Sequence, residues 1–318
     1  MSDTVDDLQV VLNGDDAAPP TPTTSRYVLI LFQGSGANSS IDVGTVTQLR
    51  RLIEDQIVDP AELVEIDLWL ESPGGDAHAA YKLALILRAH CRWLRVVVPD
   101  YAKSAATLLS LAADEIFMGP AAELGPLDAQ IPNEQGGIIS TISALDIARS
   151  LEDLTTTAMN MALSGGSWAL QTTRLSRSES LTAMLDFSAK FMEPIIRQLD
   201  PAMIHWSSTL LRVAVEYGDR LLEMRAESTR AQYPVGPSIA KSLVEDYPTH
   251  GFVIGCDEAR RLHLPIRDMA TYDLASQARL VHRSFEDGTE TMMQMLSWAD
   301  MANVSNSVED TDRSQTVE

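Results

Sequence analysis

Two hydrophobic periodicities alternate over the first third of the chain. Continuous apolar runs typical of buried strands occur at RYVLILFQ (26–33), VEIDLWLES (64–72), WLRVVVPD (93–100) and EIFMG (115–119). Helical patterns lie between them, and the first places Val43, Val46, Leu49, Ile53 and Ile57 on one face. Asp76 is a candidate N-cap for the helix AHAAYKLALILRAH. This alternation predicts an α/β fold with parallel strands.

From about residue 140 the pattern becomes helical. Leu151, Leu154, Ala158 and Met161 follow 3-4-3 spacing, and two further helices are predicted over about 178–199, bent near Pro194, and 202–230. Most of this apolar pattern is interpreted as core. An exposed part is an alternative for contacts between copies, with the candidates Leu210, Leu211, Val213, Val215, Leu221 and Leu222. A short helix near 238, the extended piece HGFVIG and the helix CDEARRLHL then follow.

Composition changes mark the expected parts of the chain. Asp, Pro and Thr dominate the first residues, and the tail NVSNSVEDTDRSQTVE is similarly polar, so both ends are expected to be disordered. The predicted parts are a disordered segment (1–25), an α/β core (26–140), a helical region (141–235), the C-terminal part of the core (236–300) and a disordered acidic tail (301–318).

The charge balance bears on the possible partners. The 318 residues include 24 Lys and Arg against 45 Asp and Glu, a net charge of −21. Nucleic acids and anionic membranes attract clustered cations, so neither is expected as a partner. Cys91 and Cys256 make no disulfide framework, and neither a signal peptide nor an apolar run of membrane-spanning length is recognised. A cytoplasmic location is therefore expected.

Two turns about thirty residues apart carry the candidate chemistry. Gly74 and Gly75 lead from a predicted strand into a helix, and Ser104 does the same one strand later. Alone, the first is an ordinary tight turn and the second an N-cap. Both follow the carboxyl ends of strands expected to be neighbours, where α/β proteins build sites. A nucleophilic Ser104 would use oxyanion donors, and the amides of Gly75 and Ala105 are placed to supply them.

The stretches ESPGGD, YAKSAATLLSLAADEIFMGP and ELGPLDAQI resemble the serine dehydrogenase proteinase family. This family is a branch of the Clp protease/signal peptide peptidase A/crotonase superfamily. The resemblance covers residues 26–131 and resumes weakly over 245–266. It implies a Clp protease/crotonase-like spiral of ββα units and peptide hydrolysis by a serine nucleophile. It also implies homo-oligomers and a substrate of peptide or unfolded protein.

The resemblance also implies roles for single residues. Ser104 matches the nucleophile, and Gly75 and Ala105 match the oxyanion donors. Gly74 and Lys103 are assigned to substrate binding.

The general base is left open by the sequence. Clp proteases place a histidine about 25 residues after the serine, but this chain has Asp128 there and no histidine. His250 is a candidate base or a turn-exposed histidine, and Asp128 is a candidate orienting carboxylate or a turn residue. The lysine alternatives are Lys103, Lys190 and Lys241. His78, close to the diglycine turn, is a further residue that would line the site.

Other chemistry finds little support in the sequence. It contains no GxxxxGK[ST], HExxH, paired CxxC or GxGxxG motif, so no cofactor or metal is expected. The leading hypothesis is an ATP-independent serine peptidase. A non-catalytic Clp-like scaffold is kept as an alternative because the expected histidine is missing. A crotonase-like acyl-CoA enzyme is the second alternative, although it would need the oxyanion donors and not the serine.

Overall fold

The computed structural model of the chain describes residues 25–34, 36, 39–57, 63–135, 138–233, 239–285 and 290–304. The segments expected to be disordered lie outside these ranges, apart from Ser25 and the stretch 301–304. In that stretch a short helix ends, and Met301 and Val304 are buried.

Strands and helices alternate along the first 130 residues, as the pattern predicts. The strands are β1 (Arg26–Gln33), β2 (Val64–Glu71), β3 (Cys91–Val98), β4 (Tyr101–Ala102), β5 (Glu115–Met118), β6 (Glu123–Leu124), β7 (Gln130–Gln135), β8 (Ile138–Ser143), β9 (Ile266–Asp268) and β10 (Thr291–Ser297). The helices are α1 (Val43–Gln56), α2 (Ala77–His90), α3 (Ala105–Ser110), α4 (Ala144–Thr172), α5 (Arg177–Ile196), α6 (Pro201–Glu223), α7 (Glu227–Gln232), α8 (Ile239–Glu245), α9 (Cys256–Arg261), α10 (Ala275–Phe285) and α11 (Trp298–Ala302).

The main sheet has the strand order β10-β1-β2-β3-β5-β9. All neighbours in it are parallel except β10, which pairs antiparallel with β1. The expected α/β class is confirmed, and β2 and β3 are neighbours as predicted. Because parallel strands end at the same edge, the turns after β2 and β3 are brought together. The sequence did not predict β9 and β10.

A buried polar network fixes the C-terminal segment to the sheet. The indole Nε1–H of Trp69 donates to the Tyr272 hydroxyl over 2.9 Å, and that hydroxyl donates to Asp67 over 2.6 Å. Arg26 and Arg95 pair with the same fully buried carboxylate. Burial and the neighbouring Asp67 raise the pKa of Tyr272, so the hydroxyl stays a donor. Residues separated by about 200 positions thereby share one core.

The chain divides into two compact units. The first comprises residues 1–127 and 214–318 and contains the main sheet, and the second comprises residues 128–213. In the second unit, β7 and β8 form an antiparallel hairpin, and α4 and α5 pack against each other. None of the helices in the described ranges combines the length and the apolar character that a membrane span requires.

Several expectations about burial and helix ends were wrong. Val43, predicted on the buried face of α1, is 76% exposed. The single helix predicted over 202–230 is interrupted after Glu223, because the amide of Ala226 donates to Asp114 over 2.6 Å. Of the candidates for contacts between copies, Leu221 and Leu222 are fully buried, so the alternative that they belong to the core is correct.

Candidate functional site

The diglycine turn follows β2 and needs glycine at both positions. Gly74 has φ +108° and Gly75 has φ +144°, which L side chains rarely adopt. A β-carbon at Gly75 would lie 2.3 Å from the carbonyl oxygen of Ile41. A β-carbon at Gly74 would lie 2.9 Å from Ser104 Cβ and 3.1 Å from Ala105 N. The turn is therefore in van der Waals contact with the serine turn that follows β4.

Ser104 has strained backbone angles at the junction between β4 and α3. Its φ is +50° and its ψ is −115°, an uncommon conformation for a residue with a β-carbon. The residue stands at the N-cap position of α3, yet its side chain makes no capping hydrogen bond. Within the described residues the half-buried Ser104 hydroxyl forms no hydrogen bond at all. The interpretation of Ser104 as an ordinary N-cap therefore fails.

Two amides of the diglycine and serine turns have no acceptor in the part of the chain that the structure describes. Gly74 N–H donates to Ser72 Oγ over 3.0 Å and Ala106 N–H donates to the Lys103 carbonyl over 2.8 Å. Gly75 N–H and Ala105 N–H donate to no acceptor within the described residues. A β-carbon at Gly74 would lie 3.1 Å from Ala105 N, and Gly75 N is bonded to the Gly74 carbonyl carbon. Standard bond lengths therefore place Gly75 N and Ala105 N within about 7 Å of each other. That bound is compatible with a shared oxygen acceptor.

Buried hydroxyls that the sequence analysis did not single out hold the two turns. Ser72 Oγ donates to Gln33 Oε1 over 2.5 Å while it accepts from the amide of Gly74, and both polar side chains are fully buried. Thr107 Oγ1 donates to the Ala102 carbonyl over 2.6 Å and accepts from Gly125 N–H over 3.0 Å. In the sequence, the only feature that could have indicated these two residues is their place next to the motifs. Ser72 directly precedes PGG, and Thr107 is the last residue of KSAAT.

Lys103 lies next to the serine but is engaged elsewhere. Its Nζ is 2.6 Å from Glu123 Oε1 on β6, and its side chain packs against Gly125, where a β-carbon would lie 2.7 Å from Lys103 Cδ. This ion pair competes with a role of Lys103 as base. The other lysine alternatives pair with acids one helical turn away, Lys190 with Asp186 and Lys241 with Glu245.

His250 lies in a turn that leads to the small sheet beside the site. Ile254, four residues later, forms an antiparallel bridge with Leu124 of β6, and β6 pairs with β4, which precedes Ser104. The imidazole is half-buried. The expected extended piece HGFVIG is reduced to this one bridge at Ile254. In the described parts of the chain Ser104 Oγ has no hydrogen-bond partner, so no contact between His250 and Ser104 is observed. The role of His250 as base therefore stays a prediction.

Asp128 belongs to the second unit and is buried there. Its Oδ1 accepts from Leu145 N–H over 3.1 Å, and its Oδ2 accepts from Gln130 Nε2 over 3.4 Å. The carboxylate thereby satisfies an amide in the first turn of α4. Its role in orienting a base stays a prediction.

A cluster of His78 and Tyr81, on the first turns of α2 after the diglycine turn, and Tyr217 of α6 lies partly exposed. Asp76 caps this helix through the amide of Ala79, as predicted. His78 Nδ1 lies 2.9 Å from the Tyr217 hydroxyl, and the rings of Tyr81 and Tyr217 stack with centroids 4.1 Å apart. These three side chains extend the apolar and hydrogen-bonding surface beside Gly75. Within the described residues, no cluster of His, Cys, Asp and Glu is suited to a metal ion.

Residues 42–162 match the family model of the ClpP-like SDH-type serine proteinases. The match confirms the resemblance inferred from the motifs. It contains the diglycine turn, Ser104 and Asp128, and it ends before His250.

Two curated relatives and two solved structures are also similar to parts of the chain. The uncharacterized proteins MJ0137 and MJ1495 of Methanocaldococcus jannaschii are 50% identical over 66 residues and 46% identical over 70 residues. These alignments cover 21% and 22% of this chain but only 23% and 24% of the relatives.

Both solved structures are variants of the 1510-N membrane-bound stomatin-specific protease. A serine-to-alanine variant is 21% identical, with a TM-score of 0.28, covering 45% of this chain and 63% of that chain. A lysine-to-alanine variant in complex with a substrate peptide is 22% identical, with a TM-score of 0.29, covering 46% and 68%.

Proposed function

We propose that this chain is a serine peptidase in which Ser104 is the nucleophile and the amides of Gly75 and Ala105 stabilise the oxyanion. The observation that carries the proposal is the junction at Ser104. A strained residue in contact with the diglycine turn carries a hydroxyl that forms no hydrogen bond, and the amides of Gly75 and Ala105 have no acceptor, among the residues that the structure describes. The match of residues 42–162 to a serine proteinase family supports the same chemistry.

The proposed reaction proceeds through an acyl-enzyme. Ser104 Oγ attacks the peptide carbonyl carbon and its proton passes to a base, while the carbonyl oxygen becomes an oxyanion between the two amides. The base then protonates the leaving amine, and a water molecule releases the acyl group. Ser72 holds the neighbouring amide of Gly74 and Thr107 holds the carbonyl of Ala102, so the backbone that carries the two amides is fixed and little reorganisation opposes the step.

His250 is the base that we favour. The ammonium of Lys103 is already paired with Glu123 at 2.6 Å and would have to give up that partner to act as a base. An imidazole is suited to proton transfer near neutral pH. Because catalytic hydrogen bonds are often long before substrate binds, the contact between His250 and Ser104 is proposed for the substrate complex. Asp128 is retained as the candidate orienting carboxylate.

The proposed substrates are peptides and unfolded segments of proteins, and the proposed active form is a homo-oligomer. Gly74 and Lys103 are proposed to contact the substrate main chain, and the cluster of His78, Tyr81 and Tyr217 is proposed to contact its side chains. Cleavage of an unfolded protein without added nucleotide tests the substrate class. The same preparation should leave a folded protein intact.

A fluorophosphonate probe tests the nucleophile directly. The wild type should be labelled, whereas Ser104→Ala should lose labelling and at least 10³-fold of peptide hydrolysis, because only substrate binding and the oxyanion donors remain. The matched control is Ser276→Ala, at an exposed serine on α10, and it should be labelled like the wild type. Equal labelling of Ser104→Ala and the wild type would refute the assignment.

A second substitution at Ser104 separates chemistry from folding. Ser104→Gly should be equally inactive but about 1 kcal/mol more stable than Ser104→Ala, because glycine adopts a φ of +50° without strain. Urea denaturation of both variants measures this difference.

Substitution of the candidate bases tests the rest of the mechanism. His250→Gln should lower kcat by about 10²–10⁴-fold with little change in KM, since general base catalysis contributes that much. Lys103→Met should change KM and stability more than kcat, because its ammonium is paired with Glu123. A larger loss of kcat in Lys103→Met than in His250→Gln would transfer the role of base to the lysine.

One observation favours a non-catalytic scaffold as the second candidate. Within the described residues Ser104 Oγ has no base at hydrogen-bond distance. A folded wild type that neither reacts with the fluorophosphonate nor cleaves an unfolded protein would support the scaffold over the peptidase.

A further inference from the structure

Glu71, the last residue of β2, carries a buried carboxylate three positions before Gly74. A carboxylate in the interior is costly unless a cation or a hydrogen-bond donor lies next to it. His282 of α10 is placed to be that group, because its Nε2 lies 2.6 Å from Glu71 Oε2. Only 8% of the glutamate side chain and 15% of the histidine side chain are exposed. With the imidazole protonated, the two residues form a largely buried ion pair beside the diglycine turn.

The face of the sheet that α10 covers also fixes the imidazole. Phe32 of β1 lies opposite Glu71 in the parallel register of β1 and β2, so both side chains point to the same face. The imidazole of His282 contacts the Phe32 ring edge to face, with centroids 6.0 Å apart. The ring of Phe285, also on α10, packs against Phe32 with centroids 5.6 Å apart. These contacts hold the histidine at the ends of both strands.

The next residue of each strand holds the same strand ends from the opposite face. Successive side chains of a strand alternate between faces, so Gln33 points away from the face that Phe32 occupies. Ser72 Oγ donates to Gln33 Oε1 over 2.5 Å and accepts from Gly74 N–H over 3.0 Å. The end of β2 is therefore held on one face by Glu71 and on the other by Ser72.

Main-chain hydrogen bonds connect this strand end to the serine turn. The amide of Ser72 donates to the carbonyl of Tyr101 over 3.1 Å, and the amide of Lys103 donates to the carbonyl of Ser72 over 2.9 Å. The residue that directly follows Glu71 is thus bonded to the segment that leads into Ser104. A displacement of Glu71 would move the main chain of both turns.

We infer that the contact between Glu71 and His282 positions the diglycine turn and, through it, the amide of Gly75. The inference rests on the proposed function, because it gives this contact a role in the proposed peptidase site. Glu71 and His282 are positioning residues, since they act through the main chain of residues 72–75. Their effect should therefore appear in the rate of the chemical step rather than in substrate binding.

Peptide hydrolysis and fluorophosphonate labelling of the full chain test this role. Glu71→Gln and His282→Gln should each lower kcat and the labelling rate about 10–10²-fold with KM nearly unchanged, because a small misplacement of a catalytic group costs that much. The double variant should be no slower than the slower single variant, since both substitutions remove the same contact. Glu71→Asp, which keeps the charge on a shorter side chain, should lower the rates less than Glu71→Gln.

The matched control is Glu65→Gln, at the other end of the same strand. Glu65 pairs with Arg95 at 2.9 Å, so this variant also loses an ion pair of β2. It should nevertheless be labelled at the rate of the wild type, because the carboxyl end of β2 is unchanged. Circular dichroism of every variant confirms that the rates are compared between folded proteins.

Amide hydrogen exchange separates this inference from the peptidase proposal, because it requires no activity. Residues 72–76 should exchange faster in Glu71→Gln and His282→Gln than in the wild type, whereas Glu65→Gln should leave their exchange unchanged. A wild type that is neither labelled nor active would refute the peptidase proposal, and the exchange of residues 72–76 would still decide whether the contact positions the turn.

Three results would overturn the inference. Exchange of residues 72–76 in folded Glu71→Gln that equals the wild-type exchange would show that the contact does not hold the turn. An active wild type whose Glu71→Gln variant keeps both kcat and the labelling rate would show the same for the site. Losses that multiply in the double variant would show that Glu71 and His282 do not act as a pair.

Discussion

The diglycine and serine turns and the α4–α5 hairpin use small residues for opposite purposes. In the turns, Gly74 and Gly75 have positive φ angles and touch other main-chain segments, so the site is built from backbone. In the packed helix pair α4–α5, Ala162 and Gly166 bring ordinary helices together, and several large apolar side chains remain exposed. The comparison shows that the φ angle of a small residue, and the atoms that an added β-carbon would contact, determine whether a larger side chain is tolerated there.

The largest contrast is expected for one added methyl group in the turn. Gly75→Ala should lower the free energy of unfolding by at least about 3 kcal/mol, because φ is +144° and the β-carbon would lie 2.3 Å from the carbonyl oxygen of Ile41. The three nearest atoms belong to the main chain of Ile41, so no flexible side chain can move aside to relieve the contact. Urea denaturation measures the loss, and fluorophosphonate labelling should disappear with it.

The same substitution in the hairpin should have the opposite sign. Gly166→Ala places a β-carbon 3.8 Å from the nearest atom in a helix with ordinary φ, so it should stabilise the protein by about 0.5–1 kcal/mol. If both alanine variants lost stability equally, backbone angle would not distinguish the two regions.

Local patterns were sufficient to predict the elements that frame the site. The run RYVLILFQ predicted β1 with its observed bounds, Arg26–Gln33, because a strand buried on both faces is continuously apolar. The parallel pairing of β2 with β3 followed from the strand–helix alternation. The TMMQMLS strand β10 was missed, because its three methionines are not among the residue types enriched in strands and its partner lies about 260 residues away.

What the sequence did not show depends on contacts between distant residues. The positive φ of Ser104 follows from its surroundings, since serine has no preference for it. The hydrogen bond from Ser72 to Gln33 joins residues 39 positions apart. The apolar pattern of the helical region, most of which was interpreted as core, does not show which apolar side chains are covered, and Leu185 and Phe187 lie half exposed.

A medium effect is expected from the hydroxyls that fix each region. Thr107→Val should cost about 2 kcal/mol, because the carbonyl of Ala102 and the amide of Gly125 lose their buried partner. Ser188→Ala in the hairpin should cost less than about 1 kcal/mol, since the Ala158 carbonyl keeps its helical hydrogen bond. Thermal denaturation of both variants measures the difference, and a costlier Ser188→Ala would reverse the ranking of the two regions.

The helix caps should also have small effects, and only one of them should depend on pH. The amide and hydroxyl of Thr45 hold the pKa of Asp42 below its usual value by donating to its carboxylate, which caps α1. A group whose pKa is lower in the folded protein stabilises the fold above its unfolded pKa, and that contribution is lost as the pH falls through the folded pKa. Asp42→Ala should therefore cost about 1 kcal/mol at neutral pH and progressively less below about pH 4.

Ser143 caps α4 through the amide of Asp146, and its hydroxyl does not titrate, so Ser143→Ala should cost a similar amount at every pH. Urea denaturation from pH 7 to pH 3 separates the two, and a constant cost for Asp42→Ala would show that the charge of Asp42 contributes nothing to its cap.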